Sequence, residues 1–176
     1  MSAQEEAKFE LEERVSHLEV PEIAKDSLCL LIPSTTRIRW YKDISHIGQT
    51  YEAKFKHEGS RYSVEFDSLG HLADIEVELS WKHMQASEKT ALNRSFSSIQ
   101  GFKLQRIQAQ WTGRVIDLTR RDGSNGLIPK AMAYEVEFKG EMNERFAYWE
   151  GLFTPEGELL DLKEVLLKDV ENLNLN

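Results

Sequence analysis

Five histidines (His17, His46, His57, His71 and His83), one cysteine (Cys29) and 30 acidic residues are the groups in this 176-residue chain that could do chemistry. Zinc chemistry calls for His-x-His, His-Glu-x-x-His or a Cys-His pairing at ligand spacing, and none of the histidines stands in such a pattern. Nucleophilic chemistry at Cys29 would need a base to raise the thiolate fraction. Its neighbours are Leu28, Leu30 and Leu31, so it reads as a small buried hydrophobe in a helix. Glu10 and Glu12, like Glu76 and Glu78, lie two apart and share one solvent face of a strand, where hydration suffices. Asp122-Gly123-Ser124-Asn125-Gly126 has the composition of a calcium loop but lacks the alternating carboxylates and closing glutamate of one. The glycines are scattered rather than gathered into a phosphate cradle. These patterns lead to no catalytic residue, no metal ligand and no cofactor, and the chain reads as a non-enzyme.

The elements that must position these groups form a chain of one ordinary domain's size, 40% hydrophobic and 30% charged, which can bury a core without metal or disulfide. Its 22 basic and 30 acidic residues leave a net charge of −8, which argues against nucleic acid as a partner. No apolar run approaches the about 20 residues of a membrane span, so no integral membrane association is expected. The first residues, Met1 to Glu6, hold no signal-peptide core.

Alternation dominates the rest. Pro21 suits the first turn of a helix, Ile23, Ala24, Ser27, Leu28 and Leu31 recur at helical spacing, and Pro33 closes the run. Strands follow at Arg37 to Lys42, Tyr51 to His57, Tyr62 to Phe66 and Ala73 to Trp81. A second helix is expected near Ser87 to Ile99, with Ser87 as N-cap and Gly101 as stop. Further strands are expected near Leu104 to Trp111, Ala133 to Lys139, Arg145 to Phe153 and Glu158 to Leu166. Three echoes link the halves. Tyr51-Glu52-Ala53-Lys54-Phe55 returns as Tyr134-Glu135-Val136-Glu137-Phe138, the run Phe66 to Ile75 returns as Phe153 to Leu162, and Phe9 to Leu18 resembles Ile75 to Met84. The last echo favours a strand over a helix before Pro21. It also gives His17 and His83 a shared structural place at a strand-to-helix bend.

The run Val20-Pro21, Ile38-Arg39-Trp40, Tyr51 to Phe55, Val64 to Gly70 and Asp74 to Glu78 is similar to the PepSY-like family, also called the β-lactamase-inhibitory-protein-like family. The likeness covers Val20 to Leu79. In the second half it is confined to Tyr134 to Phe138 and Phe153 to Leu162. It implies an α+β fold of two tandem helix-plus-four-strand units forming one continuous antiparallel sheet, with the helices on one face. The units would be residues 1–84 and 85–176. The resemblance also implies a periplasmic or secreted bacterial protein that binds or inhibits another protein, without catalytic residues. A cytoplasmic place follows instead if Met1 is the native start.

A binding surface is therefore sought on the sheet face turned away from the helices, at Arg37, Arg39, Tyr41, Lys54 and Lys56, with Tyr148 or Trp149 from the second half. Such a basic patch would attract an acidic protein surface. The competing account pairs Arg39, Lys54 and Lys56 with Glu52, Glu65 and Glu76 on neighbouring strands. Around Arg145 to Phe153 both faces are apolar, so one set must be exposed or covered, either by a partner or by the segment around Leu127, Ile128 and Pro129. The alternative to protein binding is a small-ligand or lipid carrier with a cavity between sheet and helices, and the next is a hydrolase.

Overall fold

The computed structural model describes residues 11–32, 36–45, 48–112 and 131–165. Pro33, His46 and the segment around Asp122 to Pro129 lie outside them. β1 (Leu11–Val15) leads through a 3-10 turn at His17–Glu19 into α1 (Glu22–Leu31). β2 (Arg39–Ser45), β3 (Gly48–His57), β4 (Ser60–Phe66) and β5 (Leu72–Glu78) follow. A second 3-10 turn, Trp81–His83, precedes α2 (Ala86–Phe96), β6 (Gln100–Thr112), β7 (Ala133–Met142), β8 (Arg145–Phe153) and β9 (Leu159–Glu164).

The fold corrects the expectation of two tandem helix-plus-four-strand units. It is mainly a single nine-stranded sheet whose strands follow chain order from β1 to β9, antiparallel at β1–β5 and β7–β9. Only two short helices, of 10 and 11 residues, accompany it. The echoes are period-two alternations, which any half-buried strand carries. They report which face is buried and not how strands group. The segment before Pro21 is a strand as favoured, and His17 and His83 both sit in 3-10 turns.

Two compact units are distinguishable. The N-terminal unit takes described residues 11–78, 109–112 and 131–132. In it, Ala24, Leu28 and Leu31 of α1 are buried with Trp40, Ala53, Phe55, Val64, Phe66, Ile75 and Val77. This is the inward half of each strand's alternation. Helical phase sets these α1 residues on one side and leaves Cys29 and Leu30 exposed, which corrects the buried reading of Cys29: Leu28 and Leu31 face the core, while Cys29 turns to solvent with Leu30. The chain turns from β4 to β5 at Gly70, where φ is +90°. A Cβ there would lie 2.9 Å from both Ala24 N and Pro21 Cβ, so glycine lets the turn seat directly beneath α1.

The C-terminal unit takes described residues 79–108 and 133–165. Its core is aromatic: Phe96 of α2 stacks on Phe102 at 4.4 Å and meets Phe153 edge-on at 5.4 Å, and Phe102 meets Phe138 at 5.3 Å. Gly157, with φ +88°, repeats the close approach under α2, where a Cβ would stand 2.6 Å from the Ala91 carbonyl oxygen. The Ser95 hydroxyl donates to the Gly157 carbonyl and ties the same turn to the helix. The helix starts one residue before the expected Ser87 cap, with Gln85 at the cap position and no side-chain cap bond. Gly101 belongs to β6 instead of stopping the helix.

Candidate functional site

Alternation fixes what the outer face of the N-terminal unit carries. With Trp40, Ala53, Phe55, Val64, Phe66, Ile75 and Val77 inward, the outer face takes Arg39, Tyr41 and Asp43 from β2, Thr50, Glu52, Lys54 and Lys56 from β3, Arg61, Ser63 and Glu65 from β4, and Asp74, Glu76 and Glu78 from β5. Exposed Arg37 stands just before β2. The structure thus gathers Arg39, Tyr41, Lys54 and Lys56 on one side of β2–β3, with exposed Arg37 two residues ahead of Arg39.

The five differ in how they are held. The Lys54 ammonium lies 2.8 Å from Glu12 on β1, 2.9 Å from Glu52 and 4.9 Å from the centre of the Tyr41 ring. Burial pulls its pKa down, but the Glu52 and Glu12 carboxylates more than offset this and hold it above the ordinary lysine range. Glu52 also accepts a hydrogen bond from Ser63. Lys54 therefore follows the competing account of a cross-strand ion pair. Arg37, Arg39 and Lys56, by contrast, make no ion pair among the described residues, although Glu52, Glu65 and Glu76 share the face.

Strand register sharpens the contrast. Arg39 stands directly opposite Lys54, and Lys56 directly opposite Arg61. Glu52, Glu65 and Asp74 are aligned as a row of three carboxylates across β3, β4 and β5. Like charges directly opposite one another are destabilising. Contacts that relieve this include those of Lys54 and Ser63 to Glu52, Arg61 to Glu78 at 3.5 Å, and the Gln110 amide, which donates to Asp74 at 3.2 Å and to Glu76 at 3.3 Å.

In the C-terminal unit, the two candidates part company. Tyr148 lies on the outer face, where the Lys139 ammonium sits 5.1 Å from its ring and 5.4 Å from that of Phe146, which is 55% exposed. Trp149 points the other way, is 1% exposed and donates its indole N–H to the Gly140 carbonyl at 2.9 Å. It is a core residue and leaves the list of surface candidates, because neighbouring residues on a strand face opposite sides.

Two groupings escaped sequence reasoning. Glu135, Glu137 and Glu150 bring three carboxylate oxygens within 4.8 Å of one another, an arrangement able to hold a cation. Glu137 also pairs with the Arg106 guanidinium on β6. The spacing of Glu135 and Glu137 is visible in the sequence, but Glu150 joins them only through the β7–β8 register, in which it faces Glu137. The second is Tyr134, whose hydroxyl is bonded to Glu88 of α2, both being buried. Burial, with the Glu88 hydrogen bond and charge, pushes the phenol well above its usual range. The residues are 46 apart and nothing local links them.

No family model and no curated protein matches this chain. Solved structures do. A DUF2874 family protein from Bacteroides ovatus is 14% identical, with a TM-score of 0.58 over 89% of this chain and 98% of its own. A BLIP-like protein from Bacteroides fragilis is 20% identical, with a TM-score of 0.54 over 85% and 89%. A protein from Bacteroides eggerthii, provisionally described as periplasmic, is 18% identical, with a TM-score of 0.53 over 89% and 99%. Among the described residues no helix is long and apolar enough to cross a membrane. By its fold the chain is similar to the BLIP-like and DUF2874 proteins.

Proposed function

We propose that this chain is a non-enzymatic protein-binding module that engages an acidic surface on its partner through the outer face of its N-terminal unit. One observation carries the reading: Arg37, Arg39 and Lys56 stand on an open sheet face without an ion pair among the described residues, two of them directly opposite another cation. Stability alone would favour alternating signs in that register. A partner's carboxylates would supply the missing compensation and would be drawn in by the local positive field. Tyr41, half-buried beside them, is a residue type that anchors interfaces.

The fold likeness to a BLIP-like protein supports protein binding, with an inhibitor-like role as its narrower form. The PepSY-like part of the resemblance rests on the sequence motifs alone. A periplasmic setting draws its support from the Bacteroides eggerthii neighbour. Against the carrier alternative, Leu28, Leu31, Val64, Phe66, Ile75 and Val77 are fully buried side chains filling the interior of the unit.

Photo-crosslinking in the native host tests the reading. A benzophenone side chain at position 56 is expected to capture a discrete protein, identified by mass spectrometry, and one at position 30 on the outer side of α1 is not. Arg37→Glu with Arg39→Glu should abolish the position-56 adduct. No adduct from position 56, or one indifferent to those charge reversals, overturns the proposal.

A further inference from the structure

β9 ends the strand order, so among the described residues its far edge has no strand paired to it. The backbone groups on that edge can be named. The Val165 N–H donates to the Tyr148 carbonyl at 2.9 Å, and in an antiparallel pair the hydrogen-bonded positions recur at every second residue. Lys163, opposite Glu150, and Asp161, opposite Leu152, therefore turn their N–H and C=O groups toward β8. Leu162 and Glu164 turn theirs away from it. The Leu162 N–H bears this out, since its acceptor is the Asp161 carboxylate at 3.0 Å, a side chain standing where a strand could be. Such an edge is a template for another strand unless its side chains forbid the pairing.

Here the side chains forbid some registers and favour one. Asp161 and Lys163 share the outer face, both about half exposed, with their charged groups 3.4 Å apart. A second β9 laid antiparallel about a two-fold axis at Asp161 would set that carboxylate against itself, and an axis at Lys163 would do the same to the ammonium. With the axis at Leu162, Asp161 stands opposite Lys163 of the second copy, and Lys163 opposite its Asp161, giving two cross-strand ion pairs of opposite sign. Backbone polarity agrees with that register. Leu162 meets its own copy as a hydrogen-bonded pair, each N–H donating to the other's carbonyl, so Asp161 gives up the Leu162 N–H and gains the second lysine. Asp161 and Lys163 then form the non-hydrogen-bonded pairs, in which side chains approach most closely. β1, at the other edge, offers nothing equivalent: the axis that would set Glu12 opposite Arg14 also sets Glu13 against Glu13, and Lys54 already engages Glu12. We infer that the chain self-associates edge to edge, the β9 strands of two copies pairing antiparallel about a two-fold axis at Leu162. The inference goes beyond the protein-binding reading, which concerns a different surface, and neither depends on the other.

Cysteine crosslinking of the full chain tests the register directly. Exposed Cys29 is first replaced by serine. In that background Leu162→Cys should yield a disulfide-linked dimer under mild oxidation, because paired α-carbons at a hydrogen-bonded position lie about 5.5 Å apart, within disulfide reach. Leu160→Cys should not, although Leu160 is the more exposed of the two: its two copies would be offset by about 13 Å along the strands. Sedimentation velocity supplies the second arm. The wild-type chain should form a dimer whose fraction rises with protein concentration, and Asp161→Lys, which sets lysine against lysine, should be monomeric over the same range. Adding Lys163→Asp to Asp161→Lys exchanges the two signs and should restore the dimer, with thermal melts showing that each variant is folded. The cysteine comparison changes no charge and decides the question where a charge variant fails to fold. A wild-type monomer throughout, a dimer in folded Asp161→Lys, a folded sign-exchanged chain that stays monomeric, or crosslinking at position 160 equal to that at 162 overturns the proposal.

Discussion

The two outer faces obey one alternation rule and end with different chemistry. In the N-terminal unit, β3 to β5 present almost nothing but charge: Glu52, Lys54, Lys56, Arg61, Glu65, Asp74, Glu76 and Glu78. In the C-terminal unit, β8 turns Phe146, Tyr148 and Leu152 outward, with Lys139 over two of the rings and carboxylates alongside. The inner faces are alike in kind, being dense and apolar. The buried half of each strand answers to packing, which tolerates little change, while the outer half can be rewritten residue by residue without disturbing it. What separates the two units in function must therefore be read from the outward residues, and what holds them up from the inward ones.

That division can be broken by experiment. Trp149→Ala removes a fully buried indole and its bond to the Gly140 carbonyl, and should cost about 3–5 kcal/mol in chemical denaturation. A loss below about 1 kcal/mol, the range of a surface substitution, would mean that Trp149 is not the core residue its burial indicates.

Tyr134→Phe withdraws a donor from the buried Glu88 carboxylate and should cost about 1–3 kcal/mol. It should also change the pH profile. The folded-state pKa of Tyr134 is raised, so its contribution is complete below the unfolded tyrosine pKa of about 10 and fades as pH climbs above it. Wild-type stability should fall above about pH 10, and the phenylalanine variant should fall less steeply. Parallel profiles would refute the pairing. Tyr62, raised by its own burial and by Glu58, supplies the residual slope. At the acid end the sign reverses: Asp67, held low by the His71 and Leu69 backbone N–H groups and the His71 ring, contributes above the unfolded aspartate range and ceases to as pH falls through its lowered value.

The finest test separates cations on a single face. Lys54→Met breaks contacts to Glu12 and Glu52 and should cost up to about 1 kcal/mol, less at high salt. Arg39→Ala removes a charge facing Lys54 across the strands and should leave the isolated chain unchanged or more stable by about 0.2–1 kcal/mol. Equal destabilisation by both would show that Arg39 is paired after all and is no candidate for a partner.

Much of the fold was legible where a side chain's fate depends on its strand neighbours alone. Arg145 to Phe153 matches β8 at both ends, and Tyr62 to Phe66 lies within β4. The turn glycines Gly70 and Gly157 take the positive φ that this residue type adopts without strain. Phase errors arose where local composition misled: Cys29 sits among leucines yet faces out, and Trp149 was grouped with Tyr148 although adjacency in a strand puts the two on opposite faces. The Tyr134–Glu88 pair and the Glu135–Glu137–Glu150 cluster were invisible for a different reason. They form only when separate elements meet, and no spacing within one segment encodes that meeting. For the same reason the patch at Arg37, Arg39 and Lys56 could be located from alternation, while its separation from the engaged Lys54 required knowing that Glu12 on β1 reaches it from across β2.

A sheet whose strand order is the chain order also bears on how fast and by what route the chain acquires its structure. Most strands find their neighbour close by in sequence, as at β3–β4 through Glu58-Gly59 and β7–β8 through Asn143-Glu144. The entropy of closing such loops is small, and contact order is correspondingly low for a protein so rich in strand. Assembly can zip along from any hairpin already formed, with the slowest steps expected where a long connection must close. These are the links carrying α1 between β1 and β2 and α2 between β5 and β6, and the 20 residues separating β6 from β7. A chain emerging from the ribosome could thus pair β2 through β5 before β6 has been made, without waiting for a distant partner strand.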